Sequence, residues 1–166
     1  MGLIARLPAS HSVRNFRRAA RLRYSEANRA VTAGDRLIGI YLAGYAAEMT
    51  LKATYFRITG RQPTDPISME DLYKARTHAK MTLGLIWRDN LHNLNRWGEL
   101  IVEERRWRAN PIPMAFASRI STQIIQVANN WREDMRYPGN QPRSGEVVVT
   151  FEAVRWLLEN ESRLVR

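Results

Sequence analysis

Apolar residues recur at spacings of three and four in five stretches of the 166-residue chain, with turn signals between them. That period belongs to amphipathic helices, so the chain is read as all-α. In the first stretch, about 12–32, Phe16, Ala20, Tyr24, Ala27 and Val31 form one stripe, while Arg14, Arg17, Arg18 and Arg21 form a basic face elsewhere on the same helix. Gly34 ends it and Asp35 can cap the next helix, which runs to about Arg57 with Ile38, Leu42, Tyr45, Met49 and Ala53 inward, before Gly60. A connection this short makes the two helices antiparallel neighbours.

Residues 60–67, GRQPTDPI, read as a Pro-containing loop, and Ser68 with Asp71 resembles a capping box for an irregular helical segment reaching Met81 or further. The third main helix is expected from about Asn90, carrying Leu94, Trp97, Ile101 and Val102 inward until RANPIP at 108–113 breaks it. The fourth is expected over about 114–137, with Phe116, Ile120, Ile124, Val127, Trp131 and Met135 on one face. Pro138 and Gly139 stop it, 147–149 can be extended, and Thr150 is the expected cap of a last helix containing Phe151, Val154, Leu157 and Leu158. Asn129 and Asn130 are placed toward solvent. Residues 1–11 are taken as an N-terminal extension and 12–166 as a single domain, an up-and-down bundle of four or five helices.

The chain has no cysteine, which removes disulfides, thiolate metal sites and thiol nucleophiles and suits a reducing cytoplasm. No stretch has the length and apolarity of a signal peptide or membrane span, so a soluble cytoplasmic protein is expected, without a membrane partner. Twenty-six Lys and Arg against 16 Asp and Glu give a net charge of +10, which favours nucleic acid or an acidic protein as partner. Arginine dominates the positive charge; its forks suit phosphate, although an Arg-rich chain equally reflects a GC-rich genome. There is no Gly-rich phosphate loop, HExxH motif or nucleophile elbow, and the three histidines, His11, His78 and His92, are not at ligand spacing. Neither a metal nor a cofactor is expected.

Three pieces stand apart: AGYAAEMTLKA at 43–53, HNLNRW at 92–97 and WREDMRY at 131–137. In that order they resemble the HEPN family of helical bundles, whose pattern reads AGYxxExxLKA, then H[DN]LxxL, then WxxxxRY before a final helix. The first piece matches throughout, the second has Trp97 for the usual Leu, and the third matches at Trp131, Arg136 and Tyr137. The resemblance covers about 14–162. In an up-and-down bundle these pieces would converge at one pole, so Glu48, Lys52, His92, Trp131, Arg136 and Tyr137 are the expected binding cluster. Arg136 or His92 would supply the hydrogen bonds that keep a buried Glu48 ionised, and such a cluster could also bind a phosphate. Plainer readings of the same residues are a polar network that only locks the helix ends, a Glu48–Lys52 surface pair, and core roles for Trp97 and Trp131. For the arginine stripe of the first helix the plainer reading is a solvated face or a surface for an acidic partner.

Ribonuclease members of the family act as homodimers and cleave RNA without metal, using an Arg, four to six intervening residues and a His near the start of a late helix. That element is absent: only Arg6 and His11 have the spacing, and they precede the bundle with Pro8 between them. The resemblance therefore implies a non-catalytic or degenerate homodimeric member that binds RNA, a nucleotide or a protein partner. A nucleotidyltransferase-like protein in a toxin–antitoxin or defence module is the partner it suggests. The alternatives are a metal-independent endoribonuclease toxin using His92 with Arg88 or Arg136, and a structural assembly protein.

Overall fold

The computed structural model describes residues 11–88, 90–132 and 141–166. Among them the fold is overwhelmingly helical, with six helices and one two-residue bridge. Helix α1 (Val13–Thr32) and helix α2 (Arg36–Ile58) form the expected hairpin, capped by Ser12 and by Asp35, whose carboxylate accepts from the Ile38 amide. Gly34 turns the chain between them at φ 90°, a conformation that costs glycine little. Helix α3 (Met69–Met81) starts on the full Ser68–Asp71 capping box. Helices α4 (Leu94–Trp107), α5 (Met114–Ala128) and α6 (Ser144–Val165) complete the set.

The second helix is central, touching α1, α4, α5 and α6. It is buried on most of its circumference because Ala43, Gly44, Ala46 and Ala47 let neighbours approach closely. Most of the stripe expected to face inward therefore lies on its less covered side. Ile38 is exposed and Leu42, Tyr45 and Met49 are half-buried, whereas Ala53 is fully covered. A helix surrounded by partners has no single inward face for spacing to reveal.

Three helix boundaries differ from expectation. Helix α4 begins at Leu94 rather than near Asn90, because the Asn93 side chain accepts from the Arg96 amide and sets the N-terminus there. Helix α5 ends at Ala128, not near 137. The Asn129 and Asn130 amides close the last turn on Ile125 and Val127, and the chain then turns Trp131 inward. Asn129 is exposed and Asn130 half-buried.

Residues 147–149 are helical rather than extended, and α6 starts six residues before Thr150. There the Glu146 carboxylate accepts from the Arg143 amide. The stripe Val147, Thr150, Val154, Leu157, Glu161 and Leu164 has helical spacing and is buried, so packing overrides the β-propensity of the valine run. The bridge forms instead between β1 (His11–Ser12) and β2 (Pro66–Ile67), which pair antiparallel, with Ile67 buried beneath. His11, assigned to the N-terminal extension, is thereby tied to the helical domain.

Candidate functional site

Glu48 lies in the middle of α2 and is 3% exposed; Lys52, one turn later, is 6% exposed. Their ion pair is buried, which removes the surface-pair reading. A second partner comes from the segment before α4: His92 Nδ1 lies 3.0 and 3.1 Å from the two Glu48 carboxylate oxygens. With the carboxylate ionised, Nδ1 carries the proton and donates. Three residues of HNL have separate tasks. His92 reaches α2, Asn93 caps α4, and Leu94 packs in the core. The backbone is positioned by Asn90, whose side chain accepts from the His92 amide.

Aromatic rings frame this pair. The Lys52 ammonium sits 5.6 Å from the centroid of the fully buried Trp97, which meets Trp87 and Tyr55 edge-on. On the other side, Tyr45 makes edge contacts with both His92 and Trp131, and the Trp131 indole N–H donates to the Tyr41 carbonyl at 3.0 Å. Both tryptophans are core side chains, and Trp131 is held directly against Gly44. The site opens to solvent through His92, whose side chain is 40% exposed, and through half-buried Tyr45.

Burial alone would raise the Glu48 pKa, but the His92 hydrogen bond and the Lys52 charge outweigh it and hold the carboxyl below its ordinary value of 4.5. A depressed pKa stabilises the fold above the unfolded value and ceases to do so as pH falls through the folded one. Stability should therefore decline from about pH 4.5 downward, and part of that decline should vanish in Glu48→Gln. Thermal melts of both proteins between neutrality and pH 3 check this; parallel curves would contradict it.

Arg88 is exposed, and no ion pair among the described residues joins it to Glu48 or His92. Arg136 and Tyr137 lie outside the described residues, as does Met135. On α1, Arg14, Arg18 and Arg21 are exposed, but Arg17 is half-buried and paired with Glu161 of α6. The basic face thus presents three open arginines rather than four.

Sequence reasoning missed a second buried acid. Glu104 of α4 is fully buried, with His78 Nε2 and Arg108 Nε each 2.6 Å from its carboxylate, and Trp107 lies edge-on to His78. Burial, then the Glu104 charge, push the neighbouring Tyr55 phenol well above its ordinary range. The available signal was the inward phase of α4, since Glu104 follows Trp97, Leu100 and Ile101 on the buried face. Among the described residues no group of three or more metal-ligating His, Cys, Asp or Glu side chains occurs, and no helix is long and apolar enough to cross a membrane. Comparison with protein-family models, curated proteins and solved structures finds no match to this chain.

Proposed function

We propose that this chain is a HEPN-like domain that binds RNA without cutting it. In this reading it acts as a homodimer in the cytoplasm, beside a nucleotidyltransferase-like partner in a toxin–antitoxin or defence module. One observation supports the family reading above the others: residues of the three quoted stretches meet in space, Gly44 receiving Trp131 and Glu48 receiving His92. RNA is favoured as ligand by the +10 charge and by the exposed Arg14, Arg18 and Arg21 on α1. The absence of an Arg and His at the family's catalytic spacing within the bundle argues for binding without cleavage.

The endoribonuclease reading keeps one specific support. An imidazole held by a buried carboxylate, as His92 is held by Glu48, has the geometry of an oriented general base. Against it, Glu48 is already neutralised by Lys52, and among the described residues Arg88 makes no ion pair with Glu48.

Fluorescence anisotropy with a labelled single-stranded RNA tests the binding. Affinity should fall steeply with salt, and replacing Arg14, Arg18 and Arg21 by Gln should reduce the log–log slope by roughly 2, since each phosphate contact on a single strand contributes roughly 0.7. Salt-independent or absent binding would sink the RNA reading and leave an acidic protein as the partner of the basic surface.

A further inference from the structure

At the end of α5 away from Trp131, a cleft of about 600 Å³ is lined by Arg105, Arg119, Arg163, Arg166, Phe116 and Trp156. We propose that this cleft binds a phosphate group, as a phosphomonoester or pyrophosphate. No residue of α1 or of the Glu48 cluster lines the cleft, and the proposal does not depend on the RNA reading.

The first argument is charge. Four of the lining residues are arginines, no Asp or Glu lines the cleft, and among the described residues none of the four arginines is paired with an Asp or Glu. Elsewhere in the molecule Arg17, Arg23, Arg61, Arg96, Arg106 and Arg108 all have carboxylate partners. Arg14, Arg18 and Arg21 are open too, but they lie exposed along one helix, whereas in the cleft four guanidinium groups line a single concavity.

The second argument is preorganisation. Arg163 rests over Phe116 at 4.3 Å from the ring centroid and Arg119 over Trp156 at 5.2 Å, and the two rings pack on each other. A guanidinium laid on a ring keeps its N–H edge available while losing part of its conformational freedom in advance. The third is the backbone. Helix α5 has no side-chain cap hydrogen bond, and its N-cap residue Pro113 and Ala115 of its first turn line the same cleft. The opposing field, from the C-terminus of α6, is blunted because Arg105 donates to the Leu164 carbonyl and Asn110 to the main-chain oxygen of Arg166.

Phosphate fits this arrangement better than a carboxylate. A phosphomonoester brings nearly two charges and three acceptor oxygens, enough to engage forks from more than one arginine, whereas one carboxylate satisfies one fork. Arg105 already spends three donor groups on Asn110 and Leu164, whereas Arg163 gives only Nη1 to the Asn160 side chain at 3.2 Å, so Arg119, Arg163 and Arg166 are the residues assigned to the ligand.

Titration calorimetry on the full chain tests this with sodium pyrophosphate, citrate, and an RNA trinucleotide carrying either a 5′-phosphate or a 5′-hydroxyl. Pyrophosphate should bind with one-to-one stoichiometry and weaken roughly tenfold or more in Arg119→Gln with Arg163→Gln, the scale of losing charge-assisted hydrogen bonds. The Arg14, Arg18, Arg21 variant should bind pyrophosphate unchanged, which separates this site from RNA binding on α1. Preference for the 5′-phosphorylated trinucleotide would assign the phosphate to a strand end; equal affinity for the two trinucleotides, with pyrophosphate bound, would assign it to a small molecule. No pyrophosphate binding, equal binding by the double variant, or tighter binding of citrate would overturn the proposal.

Discussion

Glu48→Gln is expected to destabilise the protein by about 3–5 kcal/mol, because it leaves the Lys52 ammonium buried with no counter-charge. For a chain of this size that corresponds to a fall in Tm of roughly 6–20 °C. The pair itself is worth far less than the cost of breaking it, since both ions were desolvated to make it. Replacing Glu48 and Lys52 together by Met should therefore recover much of the loss, with Trp97 offering the second Met an aromatic face. Melting the single and double variants side by side checks this; a double variant as unstable as Glu48→Gln would show that the pair stabilises in its own right.

Gly44→Ala should also destabilise, reversing the usual sign for a helix interior. Alanine normally gains about 1 kcal/mol over glycine there. A Cβ at position 44, however, would stand 2.0 Å from Cγ and Cδ1 of Trp131, a buried ring fixed by its hydrogen bond to Tyr41. Overpacking of this kind costs about 1–3 kcal/mol, rising toward the 3–5 kcal/mol of an aromatic deletion if the indole is expelled. Two other helical glycines calibrate the result. At Gly98 the nearest obstacle is the flexible tip of Ile124, so the loss should be smaller, and at Gly145 nothing lies within 4 Å. Chemical denaturation ranking Gly44→Ala as the least stable of the three is the expected outcome; a stabilised Gly44→Ala would break the link between the AGY stretch and Trp131.

Much of the helical order was legible because it rests on local chemistry. Asp35 and the Ser68–Asp71 box mark starts that side-chain caps enforce, and the α1 stripe has one inward face. What local pattern could not show is set by tertiary contact. The valines at 147–149 look extended until Val147, Thr150 and Val154 are placed on one buried face of α6. The fourth helix looked longer than it is because Trp131 continues its apolar spacing after the backbone has left the helix to reach Gly44. In the candidate site, the meeting of Glu48 with His92 followed from placing motifs on helices, while Arg17 was lost from the basic face to a partner 144 residues away. Glu104 was passed over because a single acid on an apolar face carries no motif, although its burial forces His78 and Arg108 to it.

The claim that this domain holds RNA without cutting it is tested most directly by incubating the purified chain with end-labelled single-stranded RNA in EDTA, at concentrations where anisotropy shows the RNA bound. The strand should remain full-length on a denaturing gel over hours, for the wild type and for His92→Ala alike. Metal-free fragments produced by the wild type and lost in His92→Ala would contradict the account and make the Glu48–His92 pair a catalytic dyad.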